Sequence, residues 1–139
     1  GKRMEAIASA LADLTLQSVR AKEFDQPEVV VAIEGSGMVL AVALAKALGK
    51  PLASVRLGRE RGKRPGLVTP SLHRVRGRRA LVADAVLRAG ITHTDAIGIL
   101  REAKAKPVAV VVFVSKSAKT KLSGIPLKSL IQIHAVAQP

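Results

Sequence analysis

Apolar residues recur along this chain in two alternating rhythms. From Arg3 to Val19 they fall at helical spacing, with Met4, Ile7, Ala8, Leu11 and Leu14 or Thr15 on one stripe, which predicts an amphipathic packing helix. A polar connector runs to Pro27, which stops any continuation. Glu28 to Ile33 then holds the unbroken run Val29-Val30-Val31-Ala32-Ile33, the pattern of a strand buried on both faces of a parallel sheet. Met38 to Leu48 is apolar and Ala-rich, a helix stopped by Gly49 and Pro51. Leu52 to Arg56 reads as a second strand, Arg79 to Asp84 as a third, and Thr94 to Ala103 as a helix capped by Thr92 or Thr94. Val108 to Ser115 is the most hydrophobic strand and belongs mid-sheet. Leu127 to Val136 offers a last one. Strands alternating with helices predict an α/β fold, a mainly parallel sheet flanked by helices.

Composition narrows the picture. The length of 139 residues suits one domain with one sizeable core. We expect a single domain over 1–139, with residues 1–26 as N-terminal helix and connector. A hydrophobic fraction of 48% argues against disorder. No apolar run reaches the roughly 20 residues of a membrane span. The segment Gly1-Lys2-Arg3-Met4 lacks the apolar core of a signal peptide, so a cytoplasmic protein without membrane contact is expected. Cys is absent, which removes disulfides and thiolate metal sites. The net charge of +13 suggests a polyanionic ligand or partner, with nucleic acid, nucleotide and pyrophosphate all fitting the sign. With no Trp, no Tyr and two Phe, base stacking can hardly carry recognition.

Charge also picks out one connection. Residues 57–78 carry Arg59, Arg61, Lys63, Arg64, Arg74, Arg76 and Arg78 against the acid Glu60. A connection this long without clear structure is expected to be a mobile basic loop. His73, His93 and His134 show no metal spacing and are read as surface or loop residues. No Ser/His/Asp set stands out.

The chemistry is expected at the carboxyl ends of the strands, where such sheets bind ligands. Glu34, Arg56 and Asp84 all fall at or just after predicted strand ends. The stretch Arg79-Ala80-Leu81-Val82-Ala83-Asp84 ends in an acid, and a Gly- and Thr-containing loop and a helix follow. That is a place to hold a sugar phosphate. Helix-start N–H groups meet the phosphate, and the carboxylate accepts from sugar hydroxyls. Glu34-Gly35-Ser36-Gly37 also joins a strand to a helix. It lacks the third Gly and the following acid of a dinucleotide fingerprint.

Asp84-Ala85-Val86-Leu87-Arg88-Ala89-Gly90-Ile91-Thr92 resembles the phosphoribosyl pyrophosphate (PRPP) motif of type I phosphoribosyltransferases. That motif has an apolar strand, two acids, two apolar residues and a T-T-G-G-T or A-T-G-G-T loop. Asp84, Gly90 and Thr92 match. Ala85 replaces the second acid, Ala89 a loop Thr and Ile91 a loop Gly. Val31 to Met38, with Ala41, Ala45, Leu48 and Gly49, is similar to the first substrate loop of adenine-type members, with Ser36 in the place of an Arg. Val55-Arg56 followed by Gly62-Lys63-Arg64-Pro65-Gly66 resembles the segment that opens their mobile catalytic loop, with Leu57 where a Lys is usual. Leu122 to Ile131 resembles their closing segment. The four segments keep the family order from about Pro27 to Ile133.

The resemblance implies a Rossmann-like, type I phosphoribosyltransferase-like fold. It implies transfer of phosphoribosyl from PRPP to a nucleobase in purine salvage, with Mg²⁺ accompanying PRPP, no direct protein metal site, and a homodimer. Asp84, Lys63 and Arg64 would be catalytic. Arg88, Ala89, Gly90, Ile91 and Thr92 would form the 5′-phosphate loop. Glu34, Gly35, Ser36, Gly37 and Arg56 would meet pyrophosphate. The substitutions in the motif leave two alternatives: a catalytically weakened or inactive PRPP- or nucleotide-binding regulator, and a basic nucleic-acid-binding protein on the same fold.

Overall fold

A computed structural model describes residues 1–58, 66–67 and 71–133. Its elements are α1 (Lys2–Arg20), β1 (Val29–Ile33), α2 (Met38–Leu48), β2 (Leu52–Arg56), β3 (Gly66–Leu67), α3 (Ser71–Val75), β4 (Arg79–Leu87), α4 (Ile91–Glu102), β5 (Lys106–Ser115), β6 (Lys121–Leu122) and β7 (Ile125–Gln132). The strands form one seven-stranded sheet in the order β3-β2-β1-β4-β5-β7-β6. The central ladders β2-β1-β4-β5-β7 are parallel. β3 on β2 and β6 on β7 are antiparallel. This is the α/β architecture that the alternating rhythms predict.

Strand alternation splits the core into two layers. Val30, Ala32, Leu81, Ala83 and Val111 face α1 and α2, against Leu11, Leu40 and Leu44. Val29, Val31, Val82, Val110 and Val112 face α4, against Ile97 and Leu100. Every residue of β1 is buried, which is why its run is apolar without a break. Truncating one of the fully buried leucines, such as Leu44 or Leu100, would cost about 2–5 kcal/mol.

Punctuation sets the sharpest boundaries. Gly49 ends α2 in the left-handed conformation at φ 65°. The N–H of Gly49 bonds to Lys46 O and that of Lys50 to Ala45 O, a Schellman stop.

Four expectations need correction. β4 continues past Asp84, because Val86 and Leu87 keep partners Val114 and Ser115 on β5. α4 starts at Ile91, not Thr94, with left-handed Gly90 (φ 87°) as N-cap and no side-chain cap bond, so neither Thr92 nor Thr94 caps it. β7 spans Ile125–Gln132, and the remainder of the expected strand lies partly in 134–139, outside the described residues. The 57–78 connection is not one structureless loop. Its second half contains α3, whose Ser71 and Val75 are buried. Ser54 N–H donates to Ser71 Oγ at 2.9 Å, and an Arg74 guanidinium N–H donates to the Leu52 carbonyl. A five-residue helix is too short for periodicity to reveal. Residues 59–65, with Lys63 and Arg64, and residues 68–70 lie outside the described residues.

Candidate functional site

β1 and β4 are neighbours whose outgoing chains part company. After β1 the chain passes to α2 on one face, and after β4 it passes to α4 on the other. β1 pairing stops at Ala32↔Ala83, so Asp84 is the first β4 residue beyond it. A crevice at such a switch point is where open α/β sheets bind ligands.

Asp84 meets the β1–α2 loop edge-on. A Cβ on Gly37 would stand 1.7 Å from Asp84 Oδ1. Gly37 has an ordinary φ of −80°, so space rather than backbone conformation requires glycine here. The carboxylate is held on both oxygens. Oδ1 accepts the Ala85 N–H at 2.8 Å, and Oδ2 lies 2.8 Å from His93 Nε2. A carboxylate only accepts, so Nε2 carries a proton. The other ring nitrogen, Nδ1, lies 3.2 Å from Thr92 Oγ1, and in the neutral ring it accepts from that hydroxyl.

His93 is 2% exposed, which overturns its assignment to the surface. It shares an inward stripe with Ala96, Ile97 and Leu100. That i, i+3, i+4, i+7 spacing was visible in the sequence. Starting the helix at Thr94 hid it.

Glu34 and Arg56, at the ends of β1 and β2, form a forked ion pair. Arg56 Nε lies 2.7 Å from Oε2, and Nη2 lies 3.2 Å from Oε1. Both side chains are half-buried. Arg56 thus reaches the site with its charge shared with Glu34, a pairing across 22 positions that the sequence does not reveal.

These residues surround a hollow of about 270 Å³, lined by Glu34, Gly35, Ser36, Gly37, Arg56, Asp84 and Thr92 together with Ile33, Leu57 and Gly58. Among the described residues, its charged lining is two carboxylates against one guanidinium. A second hollow of about 360 Å³ lies along Arg88, Ala89, Gly90, Ile91, Thr92 and His93. Thr92 belongs to both. The first N–H bonded within α4 is that of Thr94, to Gly90 O. The N–H groups of Ile91, Thr92 and His93 precede it and have no intrahelical partner. Gly90 is favoured by its positive φ, and a Cβ there would come 2.9 Å from Leu122 Cδ2 and push that side chain aside. Arg88, Ala89 and Ile91 are exposed, so the segment 88–92 is an open turn into a helix.

Residues 2–139 match the phosphoribosyl transferase domain family. The chain belongs to that family. It is 32% identical over 138 residues to the transcriptional regulator GfcR of Methanosarcina mazei, covering 96% of this chain and 67% of that protein. It is 34% identical over 138 residues to GfcR of Methanocaldococcus jannaschii, covering 96% and 63%. The chain thus spans about two thirds of the length of these curated relatives. Orotate phosphoribosyltransferase from Aeropyrum pernix superposes with a TM-score of 0.68 at 23% identity, covering 89% of this chain and 70% of that one. Adenine phosphoribosyltransferase from Thermoanaerobacter pseudethanolicus superposes with a TM-score of 0.69 at 17% identity, covering 89% and 79%. These enzymes share the type I phosphoribosyltransferase fold.

The family's metal can be tested against this phosphoribosyltransferase-fold site. Among the described residues, no group of three or more His, Cys, Asp or Glu could hold a metal ion. Ala85 supplies no second acid beside Asp84. The described residues do not form a resident Mg²⁺ site. No helix among them is long and apolar enough to cross a membrane.

Proposed function

We propose that this domain binds a phosphorylated ribose, either PRPP or a nucleotide 5′-phosphate, as a regulatory ligand, with phosphoribosyl transfer weakened or absent. The observation that carries this reading is the commitment of Asp84 to His93 beside an alanine, where a second acid would be needed to grip both ribose hydroxyls. The 5′-phosphate would take the free N–H groups of Ile91, Thr92 and His93, a helix start suited to anions. Asp84 retains lone pairs to accept from one ribose hydroxyl. Whatever is attached at the anomeric carbon would face Gly35, Ser36 and Gly37.

The pyrophosphate side favours binding over turnover. Ser36 brings no cation, Arg56 shares its charge with Glu34, and the described lining carries a surplus carboxylate. Leaving-group charge therefore finds little fixed compensation among the described residues. Mg²⁺ enters only as a counter-ion that a pyrophosphate ligand would bring. The relatives named transcriptional regulators support a regulatory role.

Two measurements on one sample test this. Titration calorimetry with PRPP and with ribose 5-phosphate should show saturable binding. Pyrophosphate release in the presence of each nucleobase should stay at background. Base-dependent release would make the domain a transferase. Absence of binding to both ligands would remove the site.

A further inference from the structure

The opposite edge of the sheet has a different character. The amino ends of β2, β1, β4 and β5 all lie there, because their ladders are parallel. Lys50 precedes β2, Arg76 and Arg78 precede β4, Arg79 opens β4, and Lys104 and Lys106 flank the start of β5. Backbone bonds fix these turns together. Gly77 N–H donates to Lys104 O at 2.8 Å, Lys106 N–H to Arg78 O at 2.8 Å, and Glu28 N–H to Arg79 O at 2.8 Å. Arg79 and Lys106 are register partners. Arg76, Arg78, Lys104 and Lys106 are all exposed.

Acids also occur at this end of the sheet, Asp25 and Glu28 before β1 and Glu102 at the end of α4. Glu28 accepts the Arg79 N–H at 3.0 Å and pairs with its guanidinium at 3.4 Å. The Arg79 backbone N–H, and then the charges of Arg79, Arg78 and Lys106, hold the Glu28 carboxyl below the usual carboxylate range. Arg78, Arg79 and Lys106 therefore lie within electrostatic reach of one carboxylate.

We propose that this amino edge docks the phosphate backbone of duplex nucleic acid, with Arg76, Arg78, Lys104 and Lys106 as its contacts. The cations come from adjacent strands about 4.8 Å apart, on rigid turns, and guanidinium forks suit phosphate oxygens. A protein partner would call for an apolar anchor at the centre of the patch. The exposed large apolar residue nearest in sequence is Leu72, back on α3. Unpaired bases would call for aromatic platforms, and the chain has no Trp or Tyr. The inference is independent of the ligand site at the other end of the sheet.

The test is fluorescence anisotropy with a labelled duplex of about 20 base pairs in 50–200 mM NaCl. Wild type should bind with a Kd on the order of 10⁻⁴–10⁻⁶ M and a log–log salt slope of about −3 to −4, matching four phosphate contacts. The triple variant Arg76→Glu, Arg78→Glu, Lys106→Glu should lose at least about tenfold and most of the slope. The charge-matched variant Lys116→Glu, Lys119→Glu, Lys121→Glu, at exposed positions between β5 and the start of β6, should stay within about threefold. Neutral Gln substitutions at Arg76, Arg78 and Lys106 repeat the test should the charge reversals unfold the protein. Equal losses in both triples would reduce the effect to net charge and overturn the proposal. So would unchanged binding in the edge triple, no binding by wild type, or tighter binding to polyglutamate than to the duplex.

Discussion

The two ends of the sheet use charge in opposite ways. At the carboxyl end, Glu34 is forked to Arg56 and Asp84 is bonded to His93, and the described residues that line the hollow between them carry two carboxylates and one guanidinium. At the amino end, Arg78, Arg79 and Lys106 act together on Glu28. The net charge of +13 is thus not reflected in the described lining of the pocket. Its described walls are organised to position one carboxylate, and the surplus of positive charge seen at the amino end lies away from them. Position relative to strand direction, not overall charge, separates a shaped ligand site from a surface that attracts polyanions.

The largest expected effect comes from closing the gap between the first substrate loop and β4. Gly37→Val places a side chain where Asp84 Oδ1 now sits. Overpacking of this kind costs about 1–3 kcal/mol. Chemical denaturation should show that loss, and titration calorimetry should show ribose 5-phosphate binding abolished. Normal binding by this variant would mean that the two loops do not share a site.

Next comes His93→Leu, which leaves the Asp84 carboxylate, 16% exposed at its side chain, without its imidazole partner. Loss of one of the two donors to a part-buried carboxylate costs about 1–3 kcal/mol. His93→Gln, which can donate to Asp84 and accept from Thr92, should recover most of it. Equal midpoints for the Leu and Gln variants would show that the ring only fills space.

A smaller change is expected for Arg56→Ala. The pair with Glu34 is half-buried, so its loss should cost no more than about 1 kcal/mol of stability. A loss well above that would mark the pair as a structural keystone.

The smallest effect tests the amino edge. The Glu28 carboxyl is held below its ordinary value, so its contribution is present above the unfolded glutamate pKa. It fades as pH falls through the folded one. Glu28→Gln should flatten the acid limb of the stability curve slightly. A steeper acid limb would contradict the sign.

Much of the fold was legible because punctuation agreed with periodicity. The Gly35-Ser36-Gly37 loop and the Gly49 stop bracket α2 at the boundaries that its apolar run predicts, and β2 likewise runs from Leu52 to Arg56. The site was legible only as a set of positions. The order of residues brings Glu34, Arg56 and Asp84 to strand ends, and they do line one hollow with Thr92. What they bond to was not legible. Glu34–Arg56 pairing depends on neighbouring strands, and the reach of His93 to Asp84 depends on α4 starting at Ile91. Gly90 concealed that start, since it has no capping side chain and β-branched Ile91 and Thr92 follow it. α3 was hidden in a stretch whose charge drew attention away from buried Ser71 and Val75.

The central claim is that Asp84, held by His93 beside the open start of α4, receives a phosphorylated ribose. Titration of ribose 5-phosphate into wild type and Asp84→Ala, with thermal melting to establish that both are folded, tests it most directly. Saturable binding by wild type and at least about tenfold weaker binding by Asp84→Ala is the predicted result, the equivalent of losing one charge-assisted hydrogen bond of about 1.4 kcal/mol or more. Equal affinity in the two folded proteins would contradict it.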